Sequence, residues 1–418
     1  MGGDGNLRER VGDAIALTER NFAEIARSLP GKARRVLSTA LHLPQGTLVI
    51  NTPEGRRFKI EGKAQGPSAE VTLHNWRLPG RAFTGGTIGV AESYFDGDWD
   101  SPDVTSFLEL FVVNMEMGEE VAGGASRIIS ALQRFRHWLN ANTKKGSRRN
   151  ISAHYDLGNA FYGEWLDPTM TYSSAIYSEG ANDLESAQRA KYRALATDIG
   201  ITSKDHVLEI GCGWGGFAEF VAREIGARVT GLTISREQHD FASKRIADAG
   251  LSDKVTIKLQ DYRDETGIYD RIASIEMFEA VGEKYWPVFF QKVKQCLRAG
   301  GTAGMQIITI NEAAYPLYRS RTDFIQRYVF PGGMLPTPKI LQSLGAEQGM
   351  KLARERIFAQ DYARTLAEWR DRFLSSWERI VPLGFDERFR RLWEFYLHYC
   401  EAGFRAEYID VRQVIYRT

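Results

Sequence analysis

The sequence predicts an α/β protein, with a parallel-rich sheet and flanking helices in its C-terminal part and a smaller α+β unit before it. Three observations lead there. From about residue 151 short β-rich runs alternate with helical ones, a glycine loop follows the first of those strands, and the opening part of the chain carries strand patterns joined by turns.

A chain of 418 residues with 43% hydrophobic content can bury a large core and suits two domains. Lys+Arg 54 against Asp+Glu 53 leaves a net charge of +1, so no global attraction to nucleic acid is expected. Cys212, Cys296 and Cys400 are odd in number and far apart, which fits neither a disulfide framework nor a metal cluster. A reducing cytoplasm is the expected compartment. The opening "MGGDGNLRERVGDA" carries charges where a secretion signal needs an apolar core, and stretches such as "FLELFVVNM" from Phe107 are too short to cross a bilayer. Any contact with lipid is therefore expected to be peripheral.

Residues 15 to 45 read as helical, "GTLVINTPEGRRFKI" from Gly46 as a hairpin around Pro-Glu-Gly, "AEVTLHNWRL" from Ala69 as a strand, and 103 to 118 as a helix. Together they predict a small α+β domain over 1–124. In 125–150, Ile128, Leu132, Phe135 and Leu139 share a helical face, with Lys144, Lys145, Arg148 and Arg149 following. That segment reads either as a basic amphipathic helix for an anionic membrane surface or as a packed helix with a solvated linker. From 151 to 418 the order is "HVLEI", "FAEFVAREIG", "ARVTGLTI", "EQHDFASKRIADAG", "KVTIKL", "YDRIASI" and "GTAGMQIITI". Strand, helix and strand in repetition imply parallel strands with right-handed crossovers, and ligands at the strands' carboxyl ends.

The loop in "VLEIGCGWGG" places Gly211, Gly213 and Gly215 after a strand, with Glu209 just ahead. Its spacing is not that of a dinucleotide fingerprint, and the second strand ends in "LTIS" without an acid for a ribose. The combination resembles the first motif of the S-adenosylmethionine methyltransferases.

A closer resemblance follows from "HYDLGNAFYGEWLDPTMTYSSAIY" at His154, "NDLESAQRAKY", "GLTISREQ", "LQDYRD", "SIEMFEAVG", "YVFPGGMLP" and the final "GFRAEYIDVRQVIY". Together with the glycine loop these blocks resemble the cyclopropane fatty acid synthase family from His154 onward, and "ESYFDGDWD" at Glu92 extends the likeness weakly toward the N-terminus. The resemblance implies a Rossmann-like class I methyltransferase fold with a helical acyl-chain-covering insertion, the segment "YPLYRSRTDFIQRYVFPGGMLPTP". It implies transfer of a carbon from S-adenosylmethionine to the cis double bond of acyl chains in membrane phospholipids, giving a cyclopropane fatty acid. A methyl- or methylene-branched product is the alternative, and a non-catalytic lipid-binding homologue or a methyltransferase for a soluble molecule are the readings of another kind. A peripheral location on the inner membrane face and a homodimer are also implied.

By matched position the resemblance puts Tyr172, Ser173, Gly211, Gly213, Gly215, Thr233, Gln238, Asp261 and Tyr262 at the cofactor. A base must take a proton after transfer, and many family members hold bicarbonate for this with a Cys, a Glu, a His and a Tyr. Glu279 and Tyr362 match two of these. The Cys position is Ser174, the His position is Gln306, and Ala280 replaces a further histidine, so these positions depart from the bicarbonate set. Tyr177, Tyr328, Phe330, Tyr362 and Tyr396 are candidates to shield a cationic intermediate.

Overall fold

The computed structural model describes residues 14–115 and 157–418. They divide into two compact units, the first holding residues 14–115 with Arg391–Ala402 and the second residues 157–390 with Gly403–Thr418. The basic segment of 125–150 lies outside the described residues.

The first unit runs β1 (Ile15–Ala16), α1 (Glu19–Ile25), α2 (Gly31–Ala40), β2 (Gln45–Asn51), β3 (Arg57–Glu61), β4 (Ala64–Leu73), α3 (Arg77–Phe95), β5 (Trp99–Asp100) and α4 (Val104–Val113). The hairpin is there, with β2 and β3 antiparallel, whereas β4 runs parallel to β2. Alternation along β2 and β3 puts Leu48, Ile50, Phe58 and Ile60 in the core. The sequence reading had no counterpart to α3.

The second unit runs α5 (Leu184–Ile199), β6 (His206–Ile210), α6 (Gly216–Phe220), β7 (Arg228–Thr233), α7 (Arg236–Asp248), β8 (Val255–Leu259), β9 (Tyr269–Ile275), α8 (Trp286–Cys296) and β10 (Leu297–Ile310). It continues with α9 (Tyr315–Ser320), α10 (Phe324–Tyr328), α11 (Pro338–Glu347), β11 (Lys351–Ile357), α12 (Ala359–Ser375), α13 (Glu387–Arg405) and β12 (Ile409–Arg417). The seven strands are ordered β11-β12-β10-β9-β6-β7-β8, parallel from β10 to β8. β12 is antiparallel to both neighbours, so the C-terminal block closes one end of an otherwise parallel sheet. Successive strands β6, β7 and β8 step one way while β9 and β10 step the other, which puts the switch point between β6 and β9.

One difference from the sequence-based division has a simple cause. Helix α13 was expected to belong wholly to the C-terminal domain, but its Arg391–Ala402 stretch belongs to the first unit. There Arg391 donates to the carbonyls of Tyr94 at 2.5 Å and Trp99 at 2.9 Å, Thr105 bonds His398 and Glu401, and Phe395 meets Phe95 edge-on. Tyr396 pairs with Trp393 in the same stretch.

Candidate functional site

The carboxyl ends of β6, β7 and β8 carry the residues expected to hold a cofactor. Backbone N–H groups of Gly211 and Cys212 both donate to the Leu232 carbonyl, at 3.0 and 2.9 Å, which ties the loop after β6 to β7. Gly211 and Gly213 have φ of +83° and +52°, a region that costs other residues strain. Their surroundings differ. A Cβ on Gly211 would sit 2.6 Å from Met277 Cγ, whereas one on Gly213 would meet nothing within 4 Å. The first glycine lets the β6 and β9 loops approach each other; the second leaves room beside the strand ends.

Two buried polar groups near these strand ends are unsatisfied. Glu209 is 3% exposed, and its Oε2 has no partner among the described residues. Burial pushes its carboxyl up to about 8, with Lys191 pulling the other way. The Tyr262 hydroxyl is likewise buried without a partner. Thr233 donates to Gln238 at 2.9 Å and accepts from the Ser235 N–H, while Asp261 is gripped by Arg263 through Nε and Nη2 at 2.8 and 2.6 Å. Gly215 leads directly into α6. An open glycine edge with orphaned buried donors and acceptors fits a nucleoside with an amino-acid tail, so the donor set suits S-adenosylmethionine.

The second half of the site is assembled from four separate elements. Ser174, Gln306 and Tyr362 are brought together as the resemblance implied, but the carboxylate on which they converge is Glu276. The Ser174 N–H and Gln306 Nε2 both donate to Glu276 Oε1 at 2.8 Å, and the Tyr362 hydroxyl donates to Oε2 at 2.6 Å. Glu276 follows β9 with φ +47°, a strained conformation for a residue with a side chain, and its own N–H donates to the Gln306 carbonyl at 2.8 Å. Gln306 is held in turn by Gln413 of β12 at 3.1 Å. Burial raises the Glu276 carboxyl, opposed by the hydrogen bond from Tyr362, by Lys191, and by the bonds from Gln306 and Ser174.

Glu279 stands apart from that group. Its Oε1 accepts from the Ile308 N–H at 2.5 Å, and its Oε2 is buried without a partner among the described residues. Burial, then the neighbouring charge of Glu276, push its carboxyl up to about 8. The charge of Glu276 disfavours ionisation of Glu279, which lacks the three donors that hold Glu276.

Around these groups lies an aromatic wall. Tyr172 packs within 5.2 Å of Trp369 and 5.5 Å of Trp165, Phe330 of the segment between β10 and α11 lies 6.5 Å from Tyr172, and Tyr362 stacks on Phe404 at 4.3 Å. The segment between β10 and α11 is helical as expected, and Met334 N–H donates to the Glu279 carbonyl at 2.9 Å. Tyr177 instead carries the Arg364 guanidinium over its ring at 3.9 Å. Ser173 turns inward, accepting from Lys191 Nζ at 2.7 Å.

Sequence reasoning passed over Glu276, Trp369 and Lys191. The signal for Glu276 was an acid in "SIEMFEAVG" at the carboxyl end of a parallel strand, where such sheets place their ligands.

The fold and the glycine edge define a class I S-adenosylmethionine-dependent methyltransferase. The family model described as mycolic acid cyclopropane synthetase matches residues 142–414, and the chain belongs to that family. It is 38% identical over 347 residues to the tuberculostearic acid methyltransferase of Mycobacterium tuberculosis, covering 78% of each chain. It is 34% identical over 352 residues to the cyclopropane-fatty-acyl-phospholipid synthase of Escherichia coli, covering 83% of this chain and 87% of that one. A solved mycolic acid cyclopropane synthase in complex with SAH and CTAB superimposes with a TM-score of 0.61 at 28% identity, covering 65% of this chain and 98% of that one. Among the described residues no helix is long and apolar enough to cross a membrane, and no cluster of side chains could hold a metal ion.

Proposed function

We propose that this methyltransferase adds the methyl carbon of S-adenosylmethionine to the cis double bond of an unsaturated fatty acyl chain in a phospholipid, with Glu276 as its built-in base. The observation that carries this is the convergence of the Ser174 N–H, Gln306 and Tyr362 on the Glu276 carboxylate.

When bound, S-adenosylmethionine supplies an electrophilic methyl group. Gly213, Glu209, Thr233, Gln238 and the Tyr262 hydroxyl would hold it, with Tyr172, Ser173, Gly211, Gly215 and Asp261 shaping the edge, a reading supported by the open space at Gly213 and the unpartnered Glu209 and Tyr262 oxygens. An alkene carbon that has taken a methyl leaves its neighbour cationic. The rings of Tyr172, Trp369, Phe330 and Tyr362 keep water from that cation and present π-faces to it.

A carboxylate offers about four lone-pair sites. On Glu276 three are occupied by donors, and the remaining one, on Oε2, is free to accept the substrate's proton. Glu279 is a poorer base at neutral pH, because a carboxyl pushed to about 8 is mostly protonated there. The protein carboxylate occupies the middle of the very residue set whose Cys and His positions became Ser174 and Gln306, so the reaction is read as independent of bicarbonate.

Two points favour a branched product over a ring. The relative at 38% identity is named a tuberculostearic acid methyltransferase. The positions that depart from the cyclopropane pattern, Ser174, Gln306 and Ala280, lie on or beside the Glu276 loop. Peripheral docking on the inner membrane face through the basic 125–150 segment completes the reading, and neutralising Arg148 and Arg149 is expected to weaken vesicle binding.

The test is incubation with methyl-deuterated S-adenosylmethionine and dioleoylphosphatidylglycerol vesicles, followed by mass spectrometry of the acyl chains. A branch is expected, either a methyl with all its deuterium or a methylene that has lost one and is cleaved by ozone. Loss of one deuterium without an ozone-sensitive bond means a ring. No transfer to any acyl chain, with cofactor still bound, overturns the proposal.

A further inference from the structure

Each turnover leaves a proton on Glu276, inside a site built to exclude water. Before the next substrate can react, that proton must go. The structure holds a buried amine, Lys191, which so far has served only to oppose the burial of Glu276 and Glu209 and to bond Ser173.

Lys191 is completely buried on the inner face of α5. An ammonium in such a place requires acids, and those it feels most are Glu276, then Asp167, then Glu209. Its Nζ donates to Ser173 Oγ at 2.7 Å, and the peptide following Ser173 is the one whose N–H holds Glu276. One turn earlier on the same helix, Gln188 donates to the Ser173 carbonyl at 2.9 Å. Three acceptors of this region, Glu209 Oε2, Gln188 Oε1 and Asp167 Oδ1, are buried and unpartnered among the described residues. Such atoms are where ordered water is expected in a buried polar site.

Asp167 supplies the outward end. Its Oδ2 accepts from the Thr169 hydroxyl at 2.5 Å and from the Thr169 N–H at 2.9 Å. Thr169 is half-buried and lines an open cleft of about 530 Å³, shared with Tyr192, Glu219 and Arg245, on the α6–α7 side of the sheet. The Thr169 hydroxyl also meets that of Thr171 at 2.6 Å, and Thr171 meets the Tyr192 hydroxyl, so the polar chain is continuous at this end.

We infer that Lys191 relays the proton from Glu276 to Asp167 and so to the Thr169 cleft, resetting the base between turnovers. This rests on the reading of Glu276 as the base. In the relay the neutral amine of Lys191, whose Nζ bonds Ser173 and pairs directly with no carboxylate among the described residues, takes the proton from the Glu276 carboxylic acid through ordered water, leaving a carboxylate and an ammonium. The ammonium then gives a proton, again through water at the unpartnered Asp167 Oδ1, to the Asp167 carboxylate, which loses it to water in the cleft, and no other reactant is needed. Burial suits Lys191 to the task, since desolvation lowers its amine to about 7, where both forms are populated at neutral pH. Lys191 does not touch the substrate and acts through Glu276.

The experiment compares first and later turnovers with dioleoylphosphatidylglycerol vesicles. Protein in excess over methyl-labelled S-adenosylmethionine reads the first, and cofactor in excess reads the rest. In Lys191→Met the first turnover is expected to slow to some degree, because Glu276 loses the Lys191 charge that opposes its burial, while the later turnovers slow at least about tenfold more than the first, the size of a lost proton-transfer step. Lys191→Arg keeps the charge but cannot release a proton, so it is expected to slow the later turnovers too. Asp167→Asn, at the far end, is expected to show the same split. Restoration of steady turnover by Arg, equal loss of first and later turnovers, or no slowing in any of the three variants overturns the relay. Glu276→Gln is the control for the underlying reading: if its first turnover survives, it is the base assignment that falls.

Discussion

The two halves of the site are built from different materials. The glycine edge after β6 is made of backbone, with Gly211 and Cys212 tied to Leu232 and free space beside Gly213. The Glu276 cluster is made of side chains and one N–H, drawn from the Ser174 loop, the end of β9, the middle of β10 and the first turns of α12. A backbone cradle tolerates side-chain drift but not a Cβ. A side-chain cluster can change its chemistry by a few substitutions while the sheet beneath it stays the same, and Ser174 and Gln306 stand where the resemblance implies a Cys and a His.

The largest effect should come from breaking the side-chain half. Glu276→Gln keeps the size and one acceptor oxygen but turns the other into a donor and removes the base, and turnover is expected to fall by roughly 100-fold or more. Glu276→Gly empties the position, and added bicarbonate or formate is then expected to restore part of the activity, while the parent ignores both. Rescue of the Gly variant without rescue of the Gln variant would show that an external anion fits only where the built-in carboxylate has been removed. Tyr362→Phe comes next. It deletes one charge-assisted bond of 2.6 Å to Oε2, worth about 2 kcal/mol and hence roughly 10- to 30-fold in rate. The acid side of its pH–rate profile should move upward, because Glu276 loses the largest contribution opposing its burial.

The backbone half should break differently at its two glycines. Gly211→Ala combines positive φ with a Cβ against Met277 and is expected to cost on the order of 2 kcal/mol of stability, read from a urea midpoint. Gly213→Ala has only the conformational cost, about 1 kcal/mol, yet its methyl enters the space assigned to the cofactor. Its KM for S-adenosylmethionine is expected to rise about tenfold with kcat little changed, a sign of lost uniform binding. If Gly213→Ala bound the cofactor as the parent does, the cradle would have to lie elsewhere along the strand ends.

The contrast also explains what could be seen from sequence. The glycine edge is contiguous, "VLEIGCGWGG", and the parallel strand order on either side of it follows from strand-helix alternation. The antiparallel β12 was visible as a block of residues but not as a partner for β10, since pairing over a hundred residues apart leaves no local pattern. Helix α3 was missed because Gly85 and Gly86 interrupt it, with Gly86 at φ +56°, and break its periodicity. Ser174, Gln306 and Tyr362 could be named from the resemblance, yet their shared partner could not. Matching positions transferred a role to Glu279, whereas only the fold shows that the turn after β9 brings the acid three residues earlier under all three donors.

The smallest effect separates a cofactor-facing acid from a structural one. Glu209 has its carboxyl raised from 4.5 to about 8, chiefly by burial and against the pull of Lys191. For an acid raised on folding, the stabilising contribution is complete below the unfolded value and is lost as pH rises through the folded one, because the folded state then holds protons that the unfolded state has released. Between about pH 4.5 and 8 the parent should therefore lose stability relative to Glu209→Gln, by at least about 1 kcal/mol, measured from urea midpoints across that window. Saturating S-adenosylmethionine should shrink the difference, since a bound cation beside Glu209 favours its charged form and lowers the folded value. S-adenosylhomocysteine, which lacks the sulfonium charge, should shrink it less. Equal effects of the two ligands would place Glu209 out of reach of the transferring group and leave it as a buried partner of Lys191 alone.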